Sequence, residues 1–106
     1  MPEIRAVSCH LTPKALADMT EIWSYGAINW SIEQADRYID GLNRVFQLIA
    51  VFPDMGREHC VFSPPVRICP YQRHIIIYVL RDEIVIVLRV LGGSQDWQTV
   101  IRMLDI

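Results

Sequence analysis

The sequence is short of lysine and of net charge. Among ten basic residues only Lys14 is a lysine, and twelve acidic residues bring the formal net charge to −2 at pH 7. A chain this close to neutrality lacks the positive field that attracts nucleic acid, so we expect no direct, specific nucleic-acid contact. The remaining basic residues are arginines, which suit planar contacts to carboxylates and cost less than lysine at an interface. The composition therefore favours protein contacts.

The sequence also lacks a long apolar run. No stretch is long enough to cross a bilayer, and the segment from Met1 to Arg5 is not followed by the apolar core of a signal peptide. The hydrophobic fraction is nevertheless 52%, above the usual apolar share of a soluble domain. We therefore expect a cytoplasmic protein without a membrane segment, in which a dense core is combined with an apolar interface.

Cysteines and histidines are few, and their spacing excludes the common metal motifs. Cys9, Cys60 and Cys69 are odd in number and show no C-x-x-C spacing, which favours reduced thiols. The pairs Cys9-His10 and His59-Cys60 are adjacent residues, and neighbours in an extended chain point apart. We therefore predict no metal site.

Catalytic motifs are absent as well. The serines do not lie in a nucleophile-elbow context, and Gly92-Gly93 is too short for a phosphate loop and is not followed by a lysine. Glu33, Asp36 and Asp40 fall near one side of a predicted helix, which is typical of a solvated face rather than of paired catalytic carboxylates. The sequence therefore predicts no catalytic residues and no cofactor.

What the chain does have is an apolar β-hairpin from His74 to Leu91, with the polar turn Arg81-Asp82-Glu83 between two β-branched runs. Side chains alternate between the two faces of each strand. In the first strand one face carries Ile75, Ile77 and Val79 and the other carries Ile76, Tyr78 and Leu80. In the second strand one face carries Ile84, Ile86, Leu88 and Val90 and the other carries Val85, Val87 and Leu91. A sheet that is apolar on both faces needs cover on both. Arg89 interrupts the second run, so its charge needs a partner within the chain or on another protein.

A pair of helices can cover one of these faces. Thr12 and Pro13 are typical of an N-cap and a first helical position, Ser31 with Gln34 predicts a capping box for a second helix, and Pro53 ends that helix. Helical spacing predicts two buried stripes: Leu16, Met19, Ile22, Trp23, Gly26, Ala27 and Trp30, then Ala35, Tyr38, Ile39, Leu42, Val45, Phe46, Ile49 and Phe52. Off the first stripe lie Lys14, Asp18 and Glu21.

The other predicted elements are short: a first strand over residues 4–9, a loop over 54–65, a strand over 66–69 that ends at Pro70, and a final helix. Asp96 caps that helix, which carries Trp97, Val100, Ile101 and Leu104 and gives the second sheet face its only internal cover. The prediction is one α+β domain over 1–106, with the order β-α-α-β-β-β, a short C-terminal helix, and an antiparallel helical hairpin on a mainly antiparallel sheet.

Several short motifs occur in a characteristic order. They are Leu11-Thr12-Pro13-x-Ala15, Trp23-x-Tyr25, Gln34-Ala35-x-x-Tyr38, Pro53-x-x-Gly56-Arg57, Arg67, His74-x-Ile76-x-Tyr78 and Val87-Leu88-Arg89-Val90-Leu91. This order resembles the ParE branch of the RelE/ParE toxins of type II toxin–antitoxin systems, and the resemblance covers nearly the whole chain. It implies a RelE/ParE-like fold, a ParD-like antitoxin partner whose C-terminal segment wraps the toxin, inhibition of DNA gyrase by binding rather than by catalysis, and a role in plasmid stabilisation. We expect the antitoxin to bind the second sheet face, which has little internal cover.

The arginines in or beside the sheet are the candidate contact residues. We assign antitoxin binding to Arg67, Arg73, Tyr78 and Arg89. Further candidate functional residues are Arg57, His74 and Arg81.

One departure from the family pattern bears on function. ParE-like chains commonly continue Val-Leu-His-Gly-Arg-Arg-Asp after the last strand, whereas this chain has Val90-Leu91-Gly92-Gly93-Ser94-Gln95-Asp96. The absent histidine and arginines are groups that a RelE-like mRNA endonuclease needs for acid–base work and for stabilising phosphate charge. The alternatives to a gyrase inhibitor are therefore a RelE-like nuclease, which this departure disfavours, and a non-toxic or attenuated member that only binds an antitoxin.

Overall fold

The structure is a computed structural model that describes residues 8–103. Its elements are β1 (Ser8–Leu11), α1 (Pro13–Asn29), α2 (Ile32–Val51), β2 (Arg57–His59), β3 (Val66–Tyr71), β4 (His74–Arg81), β5 (Ile84–Gly92) and α3 (Trp97–Arg102). The predicted order is confirmed, with β2 added inside the predicted loop. The predicted first strand lies partly outside the described residues, and its described part continues to Leu11.

The five strands form one sheet in the order β1-β5-β4-β3-β2. Only the β1–β5 pair is parallel among the described strands, so the mainly antiparallel α+β sheet is confirmed. The strand β3 continues through Pro70, contrary to the prediction that it ends there. Proline is tolerated because β2 pairs only as far as Ile68, which leaves β3 at the sheet edge beyond that point.

Local capping chemistry explains where the long helices begin. The Thr12 side chain accepts a hydrogen bond from the Ala15 amide, and its hydroxyl donates to the Leu88 carbonyl, which ties the start of α1 to β5. The Ser31 side chain likewise accepts from the Gln34 amide at the start of α2. Both predicted N-caps are therefore confirmed, and α2 ends just before Pro53 as expected.

The sheet separates two cores. The helix-side core joins α1 and α2 to one sheet face and contains Ala15, Met19, Leu42, Phe46, Ile49, Cys69, Ile76, Tyr78, Val85, Val87 and Val90. The far-side core contains Val66, Ile68, Ile77, Val79, Leu88, Leu91 and Ile101. The predicted alternation in β4 is confirmed. In β5 it is confirmed through Leu88 but wrong for the last two residues, because a register shift opposite Ile77 and Tyr78 places Val90 on the helix side and Leu91 on the far side.

The far-side core is closed by the chain itself. Ile101 of α3 is only 1% exposed, and Phe62, Trp97 and Val100 pack against the same core. The side chain of Asp96 caps α3 by accepting from the Thr99 amide, as predicted. The expectation that a partner must cover this face is therefore wrong for the described chain, since α3 and the segment before β3 cover it. The predicted contribution of Leu104 lies outside the described residues.

Four assignments from the helical pattern are also wrong. Leu16, Trp30 and Phe52, which were placed in the buried stripes, are exposed, whereas Asp18, which was placed on the wet side of α1, is buried. Asp18 lies in the interior because its carboxylate pairs with Arg89 of β5. Among residues 8–103, no helix combines the length and the apolar character needed to cross a membrane.

Candidate functional site

Arg67 on β3 holds the segment that follows α2. Its guanidinium donates hydrogen bonds to the carbonyls of Gly56 (2.6 Å) and Asp54 (3.2 Å), and it lies 3.7 Å from the carboxylate of Glu58. These contacts are made to the turn before β2 and to β2 itself. Arg67 therefore anchors the edge of the sheet.

Tyr78 on β4 supports the same segment from inside. Its side chain is fully buried, its hydroxyl donates to the Pro53 carbonyl (2.7 Å), and it accepts from the Gly56 amide (2.9 Å). A Cβ added to Gly56 would lie 2.7 Å from this hydroxyl, which explains why a glycine stands there. Burial raises the pKa of Tyr78 above its ordinary value. The interpretation of Tyr78 as a surface contact is wrong in this conformation, because none of its side chain is accessible.

Arg89 finds its partner within the chain. Its Nε and Nη2 atoms donate to the two carboxylate oxygens of Asp18 at 2.7 and 2.8 Å, and Asp18 also accepts from the Val90 amide. The hydrogen bond to Asp18 raises the pKa of Arg89 above its ordinary value. This two-pronged pair joins α1 to β5 at the register shift. The Arg89 charge is thus neutralised internally, so its assignment to antitoxin binding needs revision.

Arg73 and His74 lie somewhere else, at the turn between β3 and β4. They line a cavity of about 340 Å³ where this turn meets the junction of α1 and α2. We call this cavity the hairpin-tip cleft. Its other walls are Ile22, Tyr25, Gly26, Trp30, Gln34, Ala35, Tyr38 and Gln72.

The floor of the hairpin-tip cleft is held by hydrogen bonds and close packing. The Tyr38 hydroxyl and Nδ1 of His74 are joined by a 2.6 Å hydrogen bond, and their rings stack edge to face. Burial lowers the pKa of His74 and raises that of Tyr38, so both are neutral at pH 7. A Cβ on Gly26 would lie 3.2 Å from that of Ala35, so the two helices approach closely here. The inner wall is therefore closely packed and uncharged.

The rim of the cleft is exposed and aromatic. Tyr25 is 63% exposed and Trp30 is 59% exposed. The Arg73 guanidinium carbon lies 5.9 Å from the Trp30 ring centre, within the range of a cation–π contact. Gln72 has a φ of 50°, and this left-handed turn places Arg73 next to the helices. Arg73 is the only formally charged residue among those that line the cleft.

The remaining candidates lie apart from the cleft. Arg57 is exposed on β2 at the sheet edge, and Arg81 is exposed at the opposite end of β4 from Arg73. Of the seven predicted site residues, the structure brings only Arg73 and His74 into one cavity. Sequence reasoning missed Tyr25, Trp30 and Tyr38, which it placed in motifs or helical stripes. The available signal was an aromatic residue at the break between two helices.

The described residues offer no metal centre. Among residues 8–103, no group of three or more His, Cys, Asp or Glu side chains is arranged to hold a metal ion. Burial raises the pKa of the Cys9 thiol to about 11 and also raises that of Cys69, so both thiols are protonated at pH 7 and are poor ligands and nucleophiles. What the hairpin-tip cleft offers is binding: a fixed positive charge beside aromatic walls.

Comparison with known proteins assigns the family. A family model described as the ParE toxin of the type II toxin–antitoxin system, parDE, matches residues 10–97. This chain belongs to the ParE toxin family. The chain is 34% identical over 86 residues to Toxin ParE1 of Caulobacter vibrioides (strain ATCC 19089 / CIP 103742 / CB 15), a match that covers 81% of this chain and 88% of that toxin.

Other ParE proteins agree with this assignment. Toxin ParE1 of Mycobacterium tuberculosis (strains CDC 1551 / Oshkosh and ATCC 25618 / H37Rv) is 31% identical over 87 residues, covering 81% of this chain and 89% of the toxin. A solved structure titled as a chromosomal ParDE TA system from P. aeruginosa superposes with a TM-score of 0.70 at 17% identity, covering 80% of this chain and 94% of that one. At that identity the superposition shows the fold alone, which is RelE/ParE-like.

Proposed function

We propose that this ParE-family toxin is neutralised by a ParD-like antitoxin and, when free, inhibits DNA gyrase by binding to it. The observation that carries the proposal is the ParE family match over residues 10–97, which includes every motif that led to the resemblance. The ParDE title of the structural neighbour supports an antitoxin partner. The cleft adds physical support, because an exposed arginine beside tyrosine and tryptophan is the composition of a protein-binding hot spot.

The alternative of a RelE-like mRNA endonuclease gains no support from the geometry. Its discriminating variants would be Arg67→Ala and Arg89→Ala, yet both side chains are engaged in contacts within the chain. Loss of cleavage in those variants would therefore reflect loss of structure as much as loss of chemistry. The lining of the hairpin-tip cleft, with a neutral His74 and one arginine, is suited to recognition.

The test of the proposed target is a gyrase supercoiling assay with the purified protein. We expect supercoiling to stop at micromolar toxin and to recover when a ParD-like protein, the product of a neighbouring reading frame with a ribbon-helix-helix start, is added first. Relaxation by a topoisomerase I serves as the control and should be unaffected. Full supercoiling activity at micromolar toxin would contradict the proposed target.

A growth assay separates the toxin from a non-toxic family member. Induction without the antitoxin should arrest growth, and co-expression of the ParD-like protein should restore it. Unimpaired growth at full expression would support the attenuated alternative. The reason to consider that alternative is the segment Gly92-Gly93-Ser94-Gln95 at the end of β5, which lacks the histidine and arginines common in ParE-like chains.

A further inference from the structure

We propose that the hairpin-tip cleft is where the antitoxin docks, and that it receives an apolar side chain of the antitoxin next to a carboxylate. This inference rests on the proposed function and specifies its site. The cleft is formed by the α1–α2 junction and the β3–β4 turn, away from the far sheet face that α3 already covers.

The surface around the cleft indicates a protein partner. Tyr25, Ile28, Trp30 and Ile32 are all largely exposed within eight residues at the tip of the helical hairpin. Tyr25 and Trp30 also form part of the cleft wall, so the apolar surface continues from the cavity onto the outside. Exposed apolar patches of this kind mark interaction surfaces. Tyrosine and tryptophan provide large contact area at a low cost in side-chain entropy.

The size of the cavity indicates what enters it. A volume of about 340 Å³ is at the small end of the roughly 300–1,000 Å³ typical of ligand sites. Its rim is open, since Tyr25, Trp30 and Gln34 are exposed. A cavity that is small and open at the rim suits one or two side chains of a segment that crosses it, rather than an enclosed small molecule.

The charge at the cleft selects the chemistry of the segment. The residues that line the cleft include one fixed charge, that of exposed Arg73, and no carboxylate. The nearest buried carboxylate, Asp18, is already paired with Arg89 and so does not neutralise Arg73. His74 is neutral and hydrogen-bonded to Tyr38. Within residues 8–103, no salt bridge to Arg73 is present, so the cleft presents its guanidinium beside an aromatic surface, which is complementary to a carboxylate next to an apolar residue.

The test uses two cleft variants and two matched controls on the full chain. Trp30→Ala removes the aromatic wall, and Arg73→Glu reverses the charge. Leu48→Ala and Arg44→Glu make the same kinds of change at exposed positions of α2 that do not line the cleft. Binding of the ParD-like protein is measured by calorimetry, and circular dichroism checks that every variant is folded. We expect each cleft variant to weaken binding by about tenfold or more, as at hot-spot residues, and the controls to stay within about twofold.

A second measurement tests the acidic requirement directly. Synthetic peptides covering the C-terminal half of the ParD-like protein are compared with versions in which every Asp and Glu is replaced by Asn or Gln. The acidic peptide that binds should lose about tenfold in affinity on amidation with wild-type toxin, but much less with Arg73→Glu. Equal loss for both toxins would overturn the assignment of the carboxylate to Arg73.

Trp30 also provides a direct optical readout. Its quenching by acrylamide, isolated as the difference between the wild type and Trp30→Phe, should fall when the ParD-like protein binds. Unchanged quenching of Trp30 in a saturated complex would overturn the proposed location, even if Trp30→Ala or Arg73→Glu failed to fold.

The outcomes separate this inference from the proposed function. If the wild type binds the ParD-like protein and both cleft variants bind equally well, the location is wrong and the antitoxin partnership stands. If the wild type does not bind it at all, the partnership itself is wrong. If the chain alone is a dimer that Trp30→Ala converts to a monomer, a second copy occupies the cleft and the inference is overturned.

Discussion

At the residue scale, the Tyr78 hydroxyl holds the segment after α2 against the sheet. It bonds to Pro53 and Gly56 from a fully buried position. Tyr78→Phe would leave a buried amide and a buried carbonyl without this partner, so we predict a loss of about 1–3 kcal/mol in the free energy of unfolding. Urea denaturation measures it.

The matched control for this prediction is Tyr25→Phe. Tyr25 is mostly exposed, so loss of its hydroxyl should change the free energy of unfolding by no more than about 0.5 kcal/mol. Equal effects of the two substitutions would contradict the role assigned to Tyr78.

The Asp18–Arg89 pair gives a second prediction at the same scale. Because Asp18 is buried, Arg89→Ala leaves a carboxylate with only the Val90 amide as a partner. We predict that Arg89→Ala costs about 3 kcal/mol, the lower end expected for breaking a buried pair. Asp18→Ala should also destabilise, and the double variant should lose less than the sum of the two. A strictly additive double-mutant cycle would show that the two residues are not coupled.

These residues also show what single positions reveal in a sequence. The sequence predicted that Arg89 needs a partner, because a charge interrupted an apolar strand. It did not identify Asp18, which is 71 positions away and which helical spacing assigned to the wet side of α1. A helical-wheel argument treats a carboxylate as solvent-facing, and only the three-dimensional approach of α1 to β5 brings the two charges together.

At the scale of elements, the turn between β4 and β5 is made by two residues with left-handed backbone. Asp82 has a φ of 52° and Glu83 a φ of 66°, a conformation that favours Asn-Gly in two-residue hairpins. We predict that Glu83→Gly stabilises the protein by about 0.5–1 kcal/mol, because it relieves the steric cost of a β-carbon at positive φ. The midpoint of urea unfolding measures the gain.

Glu83→Ala is the control for the turn. It removes the same charge but keeps the β-carbon, so the midpoint should not rise. A gain equal to that of glycine would mean that charge, and not backbone conformation, limits the stability of this turn.

The short helix α3 provides a second prediction at this scale. Ile101 is almost completely buried in the far-side core, whereas Met103, the C-cap residue of α3, is 79% exposed. Ile101→Ala should cost about 2–5 kcal/mol through lost burial and a residual cavity, and Met103→Ala should cost little. Similar small effects of both would mean that α3 does not cover the far sheet face.

The elements differ in how far the sequence predicted them. The caps at Thr12, Ser31 and Asp96 were predictable because each depends on a residue and its own next three positions. The short strand β2 and the register shift in β5 were missed. Both are set by pairing with distant strands, which no local pattern records.

At the scale of the whole molecule, the order of elements and the two apolar sheet faces were predicted, and the family assignment agrees with the resemblance. What covers the second sheet face was not predicted. An apolar sheet face needs cover, but the sequence does not say whether a partner or the chain supplies it. Here the chain does, with α3 and Phe62, and the exposed apolar surface is found at the tip of the helical hairpin instead.

The most direct test of this arrangement is hydrogen–deuterium exchange of the full chain with and without the ParD-like protein. We predict new protection at the α1–α2 junction, over residues 25–38, and at the β3–β4 turn, over residues 71–74, with little change in α3. New protection confined to α3 and the segment before β3, with none at the hairpin tip, would contradict the central claim.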